Sequence, residues 1–112
     1  MKLITAVVKP ERLDEVVAAV ISNGAQGLTV AEVRGFGHQY GHPDPRRHED
    51  LGASLLPKVR LEMAVDSAQA ERVIYALVHA ARTGTIGDGK IWVTPVESVI
   101  RVRTGQRGPE AV

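Results

Sequence analysis

Residues 2–24 read KLITAVVKPERLDEVVAAVISNG and contain a complete strand-to-helix unit. The apolar, partly β-branched residues of 2–8 occupy both parities, which predicts a central strand buried on both faces. Pro10 ends this strand, and from Glu11 the apolar residues recur every three or four positions, the stripe of an amphipathic helix. The Asn-Gly pair at 23–24 is a typical helix end, so the unit predicts a strand, a helix and a return of the chain.

A strand predicted over 27–36 completes the first half of the chain. The same order is repeated in the second half, which begins with a strand predicted over 57–65, where apolar and polar residues alternate. Asp66 and Gln69 form a capping-box pattern that predicts the start of a second helix, and Gly84 would cap its end. The chain therefore carries two similar halves joined by a long connection.

Two short stretches complete the pattern. Residues 91–93 are apolar, and residues 99–103 alternate, so that Arg101 and Arg103 share one face of a predicted strand. Residues 104–112 are predicted to be a loose C-terminal tail. The order β-α-β, long loop, β-α-β predicts an α+β, ferredoxin-like split βαβ-βαβ sandwich with both helices on one sheet face. Because two helices cover only one face, we expect copies of the chain to cover the other.

The composition limits the possible classes of function. The 112 residues are 44% hydrophobic and 24% charged with a net charge of +1, which argues against a disordered chain or a non-specific nucleic-acid binder. There are no cysteines, so disulfides, zinc–thiolate sites and thiol nucleophiles are excluded. No stretch has the length of a membrane span or the pattern of a signal peptide, so we expect one cytoplasmic domain over 1–112. We expect no membrane insertion and no direct nucleic-acid contact.

Residues 37–56 form the long connection between the second and third predicted strands. Connections of this length are usually functional or disordered, and this one is rich in charged residues, so we expect a flexible partner-binding loop. It contains His38, His42 and His48, but no rigid element or cysteine fixes these imidazoles, and a metal site is not predicted. A solvated flap without a function and a metal-responsive oligomer stay open as alternatives.

A glycine-rich segment follows the second predicted helix. The stretch GTIGDGK at 84–90 comes within one residue of the Walker A pattern, but Ile91 stands where Ser or Thr would hold magnesium, and the loop leaves a helix instead of entering one. Its glycines can still turn backbone N–H groups toward an anion, and Lys90 adds a positive charge. We therefore predict a phosphate loop over 83–90, with a purely structural turn as the alternative.

Charged side chains elsewhere add to this prediction. Arg101 and Arg103, on one strand face, can grip phosphate oxygens with paired donors, although an exposed cationic face is the alternative. For Lys58 and Glu62 the simplest interpretation is a surface ion pair. No serine stands in a nucleophile motif, so an enzyme is not predicted. A weak ATPase is the alternative, with Asp88 as the best available group to position water.

Five stretches of the chain resemble the PII family of nitrogen-regulatory signal-transduction proteins. They are MKLITAVVKP at 1–10, GLTVAEVRGFGHQYGH at 27–42, LPKVRLE at 56–62, AARTGTIGDGKIWV at 80–93 and IRVRTGQRG at 100–108. The resemblance implies a non-enzymatic homotrimer that binds ATP or ADP in clefts between subunits. It also implies regulation of partner enzymes or transporters in nitrogen metabolism.

The resemblance further implies which residues hold the ligands. The phosphates would be held by Gly87, Asp88, Gly89 and Lys90 of one subunit together with Arg101 and Arg103, and Thr29, Gly35, Gly37, His38 and Ala64 would lie around the nucleotide. Gln39 would bind the magnesium that accompanies ATP, and with it 2-oxoglutarate, while Lys58 would neutralise a carboxylate of 2-oxoglutarate.

Some positions depart from the family pattern. The tyrosine that many relatives carry for nucleotidyl modification falls at Leu51, so this chain lacks the modifiable loop tyrosine. His38 replaces the usual arginine, and Thr85 stands where lysine is common.

Loop 37–56 would contact a regulated enzyme, a transporter or a transcription regulator. A specialised sensor of another small anion, such as bicarbonate in carbon metabolism or transport, stays open as the alternative.

Overall fold

The computed structural model describes residues 1–37 and 55–112. In chain order the described elements are β1 (Lys2–Val8), a 3-10 helix (Pro10–Arg12), α1 (Leu13–Ser22), β2 (Thr29–Gly35), β3 (Leu56–Val65), α2 (Ser67–Ala81), β4 (Gly89–Pro95) and a second 3-10 helix (Gly108–Ala111). The strands form one antiparallel sheet in the order β2-β3-β1-β4. This arrangement confirms the α+β, ferredoxin-like prediction.

The core lies between one face of the sheet and the two helices. The most buried core side chains are at most 4% exposed, and they include Ile4, Ala6, Val8, Val16, Val20, Val59, Leu61, Met63, Val65, Val73 and Leu77. The alternation predicted for β3 is therefore confirmed. On the other face of β1, Thr5 is buried between Glu62 and Trp92, but Leu3 and Val7 are only half-buried. One copy of the chain thus covers β1 fully on the helix side only.

The start of α2 follows the prediction, whereas its end does not. The Asp66 carboxylate accepts a hydrogen bond from the amide of Ala68 at 3.2 Å, which confirms the predicted N-cap. The helix ends at Ala81, and the next residue, Arg82, is extended and still donates its amide to the Val78 carbonyl at 3.0 Å. Gly84 lies two residues further on, in the following loop, so the prediction that it caps α2 is wrong.

The predicted strand over 99–103 is also wrong. Only Ile100 pairs, in an isolated bridge with Arg107, and the chain turns directly after Arg101. An alternating sequence becomes a strand only where a neighbouring strand can pair with it along its length, and none of the described strands does so here. Arg101 and Arg103 therefore do not share a strand face.

The predicted loose tail, residues 104–112, is folded back on the chain before it. The amide of Gly105 donates to the Arg101 carbonyl at 2.7 Å, and the amide of Gly108 donates to the Val99 carbonyl at 3.0 Å. The segment then forms the 3-10 helix Gly108–Ala111. These hydrogen bonds satisfy backbone groups that a loose tail would leave to water, so the prediction of a loose tail is wrong.

Most of the predicted loop 37–56 lies outside the described residues. The predictions for His38, Gln39 and Leu51 fall in this part of the chain. Among the helices of residues 1–37 and 55–112, none is long and apolar enough to cross a bilayer.

Candidate functional site

A cleft of about 500 Å³ opens where β1 and β2 end and β3 and β4 begin. Its walls are formed by strand ends and by the glycine-rich loop 83–90, through Val7, Gly35, Phe36, Gly37, Leu56, Lys58, Thr85, Ile86, Gly87, Asp88, Gly89, Lys90 and Trp92. By strand register, Val7, Lys58, Lys90 and Trp92 lie on the sheet face opposite the helices. The fold therefore brings two lysines and the glycine loop to one concave end of the sheet.

Lys58 is the most unusual side chain in this cleft, because it is only 9% exposed. Its ammonium donates to the Gly87 carbonyl at 2.7 Å. Among the described residues, no carboxylate lies within salt-bridge distance of it, and Glu62 pairs instead with Arg60 at 3.3 Å. The predicted Lys58–Glu62 surface pair is therefore wrong. A largely buried cation with only a neutral acceptor is costly, and a bound anion would offset that cost.

Asp88 organises the glycine loop from within. Its carboxylate accepts hydrogen bonds from the amide of Thr83 at 2.9 Å, from the amide of Gly84 at 2.8 Å and from the Thr83 hydroxyl. The Thr83 hydroxyl bond is the largest of the causes that hold the pKa of Asp88 well below its usual range, against an opposing effect of burial. The carboxylate thus closes residues 83–88 into a ring and stays ionised at neutral pH.

Lys9 joins this ring to the sheet. Its ammonium donates to the hydroxyls of Thr83 at 3.1 Å and Thr85 at 2.5 Å, and lies 3.2 Å from a carboxylate oxygen of Asp88. The sequence predicts Thr83 as the first residue of the phosphate loop, but it gives Lys9 no role in the site. They are more than 70 positions apart along the chain, and only the pairing of β1 with β4 brings them together.

Gly89 lies where the glycine loop enters β4, opposite Val8. A Cβ placed on it would fall 1.8 Å from the Val7 carbonyl oxygen, and its φ of 106° is in the left-handed region. Glycine alone fits both conditions, since it lacks the Cβ atom that causes the clash and the strain. The close approach sets the floor of the cleft.

The predicted ligand residues fall into two groups. Gly35, Gly37, Lys58, Gly87, Asp88, Gly89 and Lys90 line the cleft described above, whereas Thr29 and Ala64 line a second pocket of about 420 Å³. Thr29 pairs with Glu62 and Gly35 pairs with Leu56, six residues along β3, so the two groups are roughly 20 Å apart. Within one chain they lie at opposite ends of the strands.

The two arginines line neither pocket, although Arg101 contacts Val112, which lines the second pocket. The Arg101 guanidinium donates to the Gln106 side-chain oxygen at 3.0 Å and to a main-chain oxygen of Val112 at 3.4 Å. Arg103 is exposed on the turn that follows, and neither arginine lines the cleft of its own chain. The predicted positions of His38 and Gln39 lie outside the described residues. Within 1–37 and 55–112, no group of three or more metal-binding side chains stands together.

Comparison with protein families and curated sequences gives one consistent result. The family model described as "Nitrogen regulatory protein P-II" matches residues 1–106. Curated proteins named "Nitrogen regulatory protein P-II" are similar over all 112 residues and over their own full length: the protein from Azospirillum brasilense is 48% identical, that from Synechocystis sp. 46% and that from Rhizobium meliloti 49%.

The fold also has a solved counterpart. A crystal structure of Arabidopsis thaliana PII bound to citrate is similar with a TM-score of 0.80 and 41% sequence identity. The match covers 98% of this chain and 87% of the Arabidopsis chain. Sequence and structure thus point to the same group of proteins.

Proposed function

The chain belongs to the nitrogen regulatory protein P-II family, and we propose that it senses adenine nucleotides and a small carboxylate anion at clefts shared between the subunits of a homotrimer. Members of the family are signal-transduction regulators that act as trimers and bind small effectors and partner proteins. The resemblance inferred from the sequence is therefore confirmed at the level of family and of a role in nitrogen regulation.

The observation that carries the proposal is the environment of Lys58. Its ammonium is nearly excluded from water, yet its hydrogen-bond partner is the Gly87 carbonyl and not a carboxylate. Lys90 and the amides of the glycine loop lie in the same cleft. The Asp88 carboxylate in this cleft pairs with Lys9, and among the described residues no carboxylate pairs with Lys58 or Lys90. Such positive charge favours a negatively charged ligand, and the citrate in the Arabidopsis PII structure is such an anion.

The separation of the two residue groups supports a site shared between copies. A ligand in one chain cannot reach both ends of strands that are roughly 20 Å apart, whereas a neighbouring copy can bring its Thr29 end against the Lys90 end of the first. This sheet face is only partly covered, with Trp92 43% exposed, and is available for such a neighbour. In the proposed trimer each cleft takes residues from two subunits.

We assign the phosphates to Gly87, Asp88, Gly89 and Lys90 of one subunit and to Arg101 and Arg103 of the trimer, with Thr29, Gly35, Gly37, His38 and Ala64 around the nucleotide. The Asp88 carboxylate is occupied by donors of its own loop, so we assign its backbone and not its side chain to the ligand. Arg101 would exchange its bonds to Gln106 and Val112 for phosphate oxygens.

We assign 2-oxoglutarate to Lys58 and to Gln39, with magnesium held by Gln39 and the nucleotide phosphates. The ligands would set the conformation of loop 37–56, which would contact a regulated enzyme, transporter or transcription regulator. The ATPase alternative gains nothing from the geometry, because the Asp88 carboxylate already accepts three hydrogen bonds and pairs with Lys9. Such a carboxylate is poorly placed to orient an attacking water.

Calorimetry with purified protein tests the nucleotide site. We expect ATP and ADP to bind with roughly micromolar affinity, about 8 kcal/mol, and Lys90→Ala and Arg103→Ala to weaken both. Arg82→Ala is the matched control, because Arg82 is an exposed cation that does not line the cleft. Equal affinity in the Lys90 variant and the control would refute the assignment.

A second titration tests the anion site. We expect 2-oxoglutarate to bind only with MgATP present, and Lys58→Met to abolish this binding while ADP still binds. Bicarbonate, titrated in the same way, separates the proposed effector from the alternative anion. Binding of 2-oxoglutarate without nucleotide, or unchanged binding in Lys58→Met, would overturn the assignment.

A further inference from the structure

We propose that Lys9 is a positioning residue that fixes the conformation of the glycine loop, residues 83–90, and so sets the anion affinity of the cleft. It acts through Thr83, Thr85 and Asp88. The effect on affinity rests on the function proposed above, whereas the effect on the loop can be measured without any ligand.

The main chain holds Lys9 firmly. It follows Val8, the last residue of β1, and precedes Pro10, which opens a 3-10 helix. Its φ and ψ, −66° and 138°, are the extended values that a following proline favours. Its carbonyl accepts the amide of Arg12 at 3.1 Å. A side chain rooted at such a point can anchor a loop to the sheet.

The ammonium of Lys9 matches what the loop offers. Lysine has three N–H donors, and three acceptors surround this one: the hydroxyls of Thr83 and Thr85 and a carboxylate oxygen of Asp88. The side chain is 17% exposed, so water competes little for these bonds. One cation therefore ties together both ends of the ring that Asp88 closes.

This ring carries the groups that face the cleft. A Cβ placed on Gly87 would lie 3.6 Å from Cε of Lys9 and 3.2 Å from Nζ of Lys58, so the two lysines flank this residue. The Gly87 carbonyl is bonded to Lys58. Loss of the Lys9 contacts would free the 83–88 ring to move, and with it the direction of the Gly87 carbonyl and the amides next to it.

Amide hydrogen exchange in the ligand-free protein tests the effect on the loop. Lys9→Met keeps the length of the side chain but removes its charge and donors. We expect the amides of Thr83 and Gly84, which donate to Asp88, to exchange roughly tenfold faster in this variant. We expect the exchange of amides in the core strands to change less than that of the loop amides. Lys2→Met, at the other end of β1, is the control.

A double-mutant cycle on ADP affinity separates positioning from direct contact with the ligand. Lys9→Met and Thr85→Val remove parts of the same contact, so each should weaken ADP binding by roughly tenfold and the pair should weaken it little further. If Lys9 acted on the ligand directly, its effect would persist in the Thr85→Val protein and the two losses would multiply. A loss of ADP affinity in the double variant equal to the two single losses multiplied, or unchanged hydrogen exchange at the amides of Thr83 and Gly84, would overturn the proposal. If the unmodified protein binds no ADP, the proposed function fails, while the exchange result still decides the role of Lys9.

Discussion

Replacing Gly89 with alanine tests the close contact between the glycine loop and β1. The new Cβ would fall 1.8 Å from the Val7 carbonyl oxygen, 2.8 Å from its carbon and 3.1 Å from Cα of Val8. Carbon and oxygen atoms that are not bonded approach to about 3.3 Å, so backbone must shift by roughly 1.5 Å. All three neighbours are backbone atoms of a paired strand, which cannot swing aside as a flexible side chain can.

The expected loss of stability has two parts. Holding alanine at a φ of 106° costs about 1–2 kcal/mol, and forcing an extra carbon into packed structure costs about 1–3 kcal/mol. The sum is about 2–5 kcal/mol, which lowers the melting temperature of a chain of this size by about 8–20 °C. Calorimetric melting at one fixed protein concentration measures it, since the midpoint of a protein that assembles depends on concentration.

Gly84→Ala is the matched control for this substitution. Gly84 belongs to the same loop and has a φ of 84°, but a Cβ there would have no atom within 4 Å. Its replacement should therefore cost only the backbone strain, about 1–2 kcal/mol. If Gly89→Ala were no more destabilising than Gly84→Ala, the argument that β1 closes against the loop at this point would be refuted.

Two further predictions concern the core and the loop carboxylate. Leu61→Ala should lower the free energy of unfolding by about 2–5 kcal/mol in urea denaturation because Leu61 is fully buried. Val102→Ala is the control, because Val102 is 99% exposed and its replacement should change the free energy of unfolding by less than about 0.5 kcal/mol. Equal effects of the two substitutions would contradict the core assignment. The low pKa of Asp88 in the folded state means that its contribution to stability is complete above about pH 4 and is lost only as the pH falls through that lower pKa. A carboxyl carbon NMR titration should show this, and Thr83→Val should raise the midpoint toward the ordinary value; a midpoint that is already ordinary in the unmodified protein would refute the hydrogen-bond network.

The sheet and the helices were predictable because local patterns and burial agree in them. The two-residue alternation of 57–65 is the burial pattern of β3 from Val59 onward, and the Asp66 cap lies where the apolar stripe of α2 begins. The same reasoning failed for 99–103. Polar and apolar residues also alternate from Ile100 to Arg103, but the described structure provides no strand beside this segment, and pairing is a property of the whole sheet.

The candidate site was only partly predictable for a related reason. The glycine loop is visible as a motif because its residues are adjacent in the sequence. Lys9 has no such signal, since its partners lie 74 and 76 positions away. Lys58 was expected to pair on the surface with Glu62, yet the bend of the loop puts the Gly87 carbonyl within its reach and leaves Glu62 to Arg60. Contacts of this kind follow from the way the strands pair and the loops bend, and not from the spacing of the residues along the sequence.

The absence of Arg103 from the cleft of its own chain has a consequence for mixtures of defective proteins. A chain with Lys90→Ala keeps an intact turn at Arg103, and a chain with Arg103→Ala keeps an intact glycine loop. If each site takes its glycine loop from one subunit and its arginine turn from the neighbouring subunit, random assembly of equal amounts of the two variants would make roughly a quarter of the sites intact. In those sites the loop comes from the Arg103→Ala chain and the turn from the Lys90→Ala chain. If each site were formed within a single chain, mixing the two variants would restore no binding. Genetic complementation therefore shows whether a ligand site is formed by one subunit or by two.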